Sequence, residues 1–158
     1  MKKMKKIIFV MGSPGIGKST FIKKHLSKYK CLDILTCQIE LFEKYGIDRY
    51  ATPSVIVVMR SYVNLMNGIL RFLKNKTNDI LIVEHTLLKS KRRKWFLRKI
   101  ADTKINVEII GIYFDIIKTK KHQTEMITIS KKIQDLPKLS EGFDEVFVCK
   151  KWDYEKKH

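Results

Sequence analysis

The sequence predicts an α/β fold, a three-layer sandwich with a mostly parallel five-stranded sheet and a short lid, in one domain over residues 1–158. Three observations predict it. Short apolar runs alternate with segments of helical periodicity, the pattern of parallel strands joined by right-handed crossovers with helices on both faces. The runs are continuous rather than alternating in polarity, as in strands covered on both sides. And a glycine-rich segment, residues 12–20, joins the first run to the first helical stretch.

The first strand is Ile7-Ile8-Phe9-Val10-Met11, and the helix after the glycine-rich segment covers 18–29, with Phe21, Ile22 and His25 on one face. A short apolar segment, Leu32 to Leu35, comes next, then a helix over 37–45 that breaks at Gly46-Ile47-Asp48. In Thr52-Pro53-Ser54, Thr52 can cap and Pro53 can take the first helical position of a long helix reaching about Lys74, which Asn75 to Asn78 closes. Asp79 to Glu84 reads as a buried strand ending in an acid. Ser90 can cap a helix to about Asp102, and Ile105 to Phe114 supplies a strand ending at Asp115. A lysine-rich connection, Lys118 to His122, precedes a short helix near 127–134, and Asp144 to Cys149 is the last strand before a charged tail.

With 158 residues, 44% hydrophobic and 31% charged, the chain is long enough to bury a core of its own. No apolar stretch approaches the roughly 20 residues that cross a bilayer, and the apolar run behind Lys2-Lys3-Met4-Lys5-Lys6 is too short for a signal peptide, so a cytoplasmic protein is expected. Cys31, Cys37 and Cys149 are odd in number and lack metal-ligand spacing, which excludes a disulfide framework or a zinc motif. The net charge of +17 favours phosphate-rich partners. Carried mostly by lysine, it is also what a general compositional bias produces.

Gly12-Ser13-Pro14-Gly15-Ile16-Gly17-Lys18-Ser19-Thr20 is a complete G-x-x-x-x-G-K-[ST] loop. Its glycines let backbone N–H groups curl around phosphates at the N-terminal end of a helix. Lys18 reaches the outer phosphates of a nucleotide such as ATP, and the Ser19 hydroxyl can ligate Mg²⁺. The fold class is therefore that of the P-loop NTPases and kinases.

In such sheets ligands lie at the carboxyl ends of the strands. Glu84 ends a central strand beside the loop, where an acid holds Mg²⁺ or its water. His85 and Thr86 follow, and a histidine there is a candidate base. Lys89, Lys91, Arg92, Arg93, Lys94 and Arg98, with Trp95 and Phe96 interleaved, are either a solvated face beside core aromatics or a grip on a phosphate backbone. Lys118, Lys120 and Lys121 are the candidate cations for clamping phosphates in phosphoryl transfer.

These residues resemble the 5′-kinase domain of the phage polynucleotide kinases and the small P-loop kinases around it. The likeness is strongest over residues 1–21 and 80–95, with a third stretch over 137–146. The resemblance implies transfer of the ATP γ-phosphate to a 5′-hydroxyl of DNA or RNA, with Lys18, Ser19 and Thr20 on the phosphate and Mg²⁺ side. The family carries a basic-catalyst aspartate after its second strand; here the neighbourhood reads Leu35-Thr36-Cys37-Gln38-Ile39-Glu40, leaving Glu40 or Asp33 as substitutes. A second family aspartate falls on His85, with Glu84 one position earlier and so on the opposite face of the strand. The lid is shorter than the family's and has lysines in place of arginine. Two other expectations stand beside this one: a small-molecule or nucleoside kinase, and a nucleotide-binding module with little or no catalysis.

Overall fold

The computed structural model describes residues 4–77, 79–115 and 134–150. The order of elements is β1 (Lys5–Gly12), α1 (Lys18–His25), β2 (Lys30–Asp33), α2 (Ile34–Tyr45), α3 (Val55–Lys74), β3 (Ile80–Glu84), α4 (Ser90–Asp102), β4 (Val107–Phe114) and β5 (Glu145–Cys149). The strands form one sheet in the order β2-β3-β1-β4-β5. All four pairings are parallel.

Alternation along the central strands builds the three layers. Ile7, Phe9 and Met11 of β1, with Leu81 and Val83 of β3, face a core shared with Leu65, Ile69 and Phe72 of α3 and Phe96 and Ile100 of α4. Val10 and Ile82 point the other way, where Ile16, Ile22 and Phe114 close a smaller core beneath α1. A strand that buries both faces cannot alternate in polarity, which is why the apolar runs are continuous.

Several boundaries differ from the sequence expectation. α2 begins at Ile34, three residues early, because the Asp33 carboxylate caps it by accepting from the Leu35 N–H at 2.9 Å. It ends as expected at Gly46, whose φ of 64° suits a left-handed cap. α3 is capped by Ser54, whose hydroxyl accepts from the Val57 N–H, and not by Thr52; Pro53 lies outside the helix. α1 stops at His25. Ser90 is the first residue of α4 and not its cap, and its N–H is bonded to the Asp135 carboxylate at 3.2 Å. The lysine-rich connection with Lys118, Lys120 and Lys121, and the expected helix near 127–134 apart from Gln134, lie outside the described residues. Among the described residues no helix is long and apolar enough to cross a membrane.

Arg93 is the largest fully buried side chain, and the fold consumes its charge. Its guanidinium forks onto Glu141 at 2.7 and 2.9 Å and donates to the Leu87 carbonyl at 2.7 Å. This ties α4 to the segment that leads into β5. Arg93 therefore leaves the group of cations offered by the basic start of α4.

Candidate functional site

β1 delivers the glycine-rich loop to the carboxyl edge of the sheet, and local sterics fix its course. Gly12 has φ 138°, and a Cβ there would stand 2.8 Å from the Phe114 carbonyl of β4. Gly17, at φ 105°, caps α1 without a side chain. Ile16 anchors the turn by burying itself among Val10, Ile22, Ile82 and Phe114. Gly15, at φ 71°, forms the exposed tip, and Ser13 is buried beneath it.

Lys18 sits inside this frame, 7% exposed, with its ammonium donating to the carbonyls of Gly12 at 2.8 Å and Ser13 at 2.9 Å. Burial pulls its pKa down to about 8, against the opposing pull of the Glu84 and Asp33 carboxylates. The Ser19 hydroxyl donates to Glu84 Oε1 at 2.5 Å. Burial pushes the Glu84 carboxyl up from its ordinary value and Asp33 adds to this, while the bond from Ser19 and the charge of Lys18 oppose it.

A cavity of about 350 Å³ lies over the loop, with Gly15, Gly17, Lys18, Ser19 and Thr20 on one wall and Asp33, Glu84, His85 and Thr86 on the other. Asp33 and Glu84 are register partners across β2 and β3, so they stand at the same level on the same face. The oxygens of Ser19 and Glu84 suit Mg²⁺, a hard cation that takes one or two protein oxygens and completes its shell with water and substrate phosphates. No cluster of three or more acidic, histidine or cysteine ligands exists among the described residues, and Mg²⁺ at such a site needs none.

Parallel β1 at the centre, a phosphate-shaped loop leading into α1, and an acid at the end of the adjoining β3 decide the architecture. The fold is that of the P-loop NTPases, in its kinase-like form. The chain is similar to a protein of Chloroflexus aurantiacus provisionally assigned as a kinase, with 15% identity over 98% of this chain and 92% of that one, at a TM-score of 0.67. It is similar to the adenylylsulfate (APS) kinase of Mycobacterium tuberculosis, solved with AMPPNP and APS, with 14% identity, 97% and 93% coverage and a TM-score of 0.60. The shikimate kinase of Acinetobacter baumannii, solved with shikimate, gives 15% identity, 96% and 87% coverage and a TM-score of 0.52. At these identities the likeness establishes the fold. No family model matches the sequence, and no curated protein matches it either.

The remaining candidates separate by position. Asp33 lines the phosphate cavity, whereas Glu40 lines a different groove, of about 380 Å³, between β2, α2 and α3. The early start of α2 explains this: Glu40 lies seven residues beyond Asp33, about 10 Å along the helix. His85 is 3% exposed and packs against Tyr62 at 4.8 Å and Phe96 at 5.8 Å between ring centroids. Its Nδ1 accepts from the Leu87 N–H at 3.3 Å, which assigns the ring proton to Nε2. Burial, with help from Lys18 and Arg92, holds its pKa at about 3. The ring is thus neutral at ordinary pH, and its one acceptor nitrogen is already engaged. The thiols of Cys31, Cys37 and Cys149 are free, and burial raises the pKa of each.

Sequence reasoning missed a second and larger cavity, about 1120 Å³, enclosed by α2, α3 and the start of α4. Lys44, Arg60 and Tyr62 join it from helices that had been read only for their apolar faces. The signal lay in α3, where Arg60, Asn64, Asn67 and Arg71 interrupt an apolar helix at three- and four-residue spacing.

Proposed function

We propose that the protein is an ATP- and Mg²⁺-dependent phosphotransferase that moves the γ-phosphate to a hydroxyl of a small-molecule acceptor. The observation that carries this reading is the convergence of Lys18, Ser19, Asp33 and Glu84 on one cavity over the loop. The loop amides and Lys18 would hold the phosphate chain, and Ser19 with Glu84 would hold Mg²⁺. When bound, Mg²⁺ supplies positive charge to the β- and γ-phosphate oxygens.

Asp33 is the carboxylate positioned for the acceptor side. One of its oxygens is engaged with the Leu35 N–H, leaving lone pairs for a hydroxyl proton. In the transfer, the acceptor oxygen forms a bond to the γ-phosphorus while the bond from that phosphorus to the β,γ-bridging oxygen breaks. The electron pair leaves with ADP, and the hydroxyl proton passes to Asp33. His85, neutral and with its acceptor nitrogen occupied, serves the wall of the site better than it serves as base.

A second reading is transfer to a 5′-hydroxyl of DNA or RNA. The specific observation favouring it is the large cavity, which six lysines and arginines line without a carboxylate. Labelled ATP with Mg²⁺ and a panel of hydroxyl compounds, nucleosides and 5′-hydroxyl oligonucleotides tests both readings. Transfer that disappears in Lys18→Ala is expected. Transfer that survives Lys18→Ala refutes the phosphate-loop mechanism, and nucleotide binding without transfer to any acceptor supports a non-catalytic module.

A further inference from the structure

We propose that the cavity between α2, α3 and α4 is the acceptor site and that it takes a nucleotide-like ligand, a planar ring joined to a phosphate group. The proposal rests on the phosphotransferase reading above for its chemistry, but its ligand class comes from the cavity.

Charge gives the first argument. Lys44, Arg60, Lys91, Arg92, Lys94 and Arg98 line the cavity, and no carboxylate does. None of these cations is ion-paired among the described residues. Arg93 shows the contrast within the same helix turn, since Glu141 neutralises it completely. A fold that can pair a buried arginine so well leaves the cavity cations unpaired, and an anionic ligand would complete them.

Aromatic scaffolding gives the second. The Arg92 guanidinium lies 5.3 Å over the Tyr62 ring. Arg60 lies 5.5 Å over Tyr45 and donates to its hydroxyl. These rings hold two planar forks in place without cancelling their charge, which is the arrangement for bidentate binding of phosphate oxygens. Bare surface lysines would not be oriented in this way.

Shape gives the third. Met59 is 61% exposed and Val63 49%, so the α3 side of the cavity offers apolar surface. Trp95 lines the cavity, braced edge-on by Phe96 at 4.8 Å. Inorganic phosphate has no use for apolar walls or a free indole face; a ring attached to the phosphate does. The volume of about 1120 Å³ also exceeds what one anion fills.

Position gives the fourth. Tyr62 lines this cavity, and His85, in ring contact with it, lines the phosphate cavity. The two spaces share that wall. A ligand whose phosphate is held at the start of α4 can therefore present a hydroxyl past Tyr62 toward Asp33.

Two sources share this chemistry, a free mononucleotide and the end of an oligonucleotide. Calorimetric titration of the full chain, with Mg²⁺ and AMPPNP present, tests the proposal with adenosine, adenosine 3′-monophosphate and a 5′-hydroxyl tetranucleotide. The expected result is that adenosine 3′-monophosphate binds at least tenfold more tightly than adenosine. Arg92→Gln and Trp95→Leu should each weaken it fivefold or more while the unfolding midpoint and AMPPNP affinity hold. Lys76→Gln removes one charge outside the cavity and should change nothing. Equal binding of nucleoside and nucleotide overturns the proposal, as does a Lys76→Gln loss equal to that of Arg92→Gln, which would mark diffuse charge. Tighter binding of the tetranucleotide than of the mononucleotide assigns an oligonucleotide end, and equal binding assigns the mononucleotide. Transfer from ATP to another hydroxyl compound with no nucleotide binding defeats this proposal alone. Nucleotide binding without any transfer supports this site and defeats the phosphotransferase reading instead.

Discussion

Lys18 is charged only at a cost, and that cost makes the affinity for nucleotide depend on pH in a calculable way. Its side chain is 7% exposed and its pKa falls from 10.5 to about 8, with burial the largest cause. A bound phosphate chain requires the ammonium form. Mg²⁺-AMPPNP affinity should therefore hold steady to about pH 7.5 and weaken as the free protein loses the proton, by about tenfold near pH 9. Stability of the free protein should move the other way. The unfolded state keeps the Lys18 proton up to its ordinary pKa, so between about pH 8 and 10.5 it binds more protons than the folded state, and folding stability rises with pH. A tenfold change in proton affinity is worth about 1.4 kcal/mol, so this contribution amounts to at most ~3 kcal/mol across the window. Calorimetric titration with AMPPNP and urea unfolding, both from about pH 7 to 9.5, read the two slopes. Lys18→Met should lose both. An affinity that stays flat across pH 8 in the parent protein, or a slope that persists in Lys18→Met, would refute the reasoning.

Glu141→Gln should cost about 3–5 kcal/mol, because it leaves the Arg93 guanidinium buried with half its charge unpaired, and should lower the melting temperature by about 6–20 °C. Circular dichroism melts check this, and a shift under about 2 °C contradicts it. Gly12→Ala forces a methyl toward the Phe114 carbonyl at a positive φ, so urea unfolding should show a loss of about 2 kcal/mol or more. Asp33→Asn keeps an oxygen to cap α2 but removes the proton acceptor, so kcat should fall about 10²–10⁴-fold with the KM for ATP and the melting temperature nearly unchanged. Glu84→Gln should raise the Mg²⁺ concentration for half-maximal transfer by about tenfold, read from metal titrations at saturating ATP.

The central strands and the phosphate loop were legible because their chemistry is compact. Nine consecutive residues carry the loop, and β1 and β3 are apolar on both faces, so neither depends on distant partners for recognition. What escaped is set by long-range contact. Asp33 reads as the polar end of a strand until its carboxylate is seen capping α2. The Ser90 N–H finds Asp135, 45 residues away, and so Lys89 rather than Ser90 takes the capping position. Arg93 is indistinguishable in sequence from Arg92, yet one is neutralised by Glu141 and the other lies over Tyr62 in an acid-free cavity. Periodicity cannot make that distinction, because the partner sits 48 positions along the chain.

The separation of metal acid from proton acceptor has the same origin in strand register. Asp33 and Glu84 are 51 residues apart in sequence but paired across β2 and β3, about 4.8 Å from strand to strand. Two carboxylates at that spacing disfavour each other's charge, and Asp33 contributes to the raised proton affinity of Glu84. A cation held by Ser19 and Glu84 would relieve the repulsion on one side, and Lys18 stands close enough to both to share it. Neutralising Glu84 through the metal leaves Asp33 as the carboxylate with open lone pairs facing the acceptor. The division of labour thus follows from which acid has the Ser19 hydroxyl beside it. Glu84 has that partner at 2.5 Å, and Asp33 instead caps the helix that forms the wall of the neighbouring cavity.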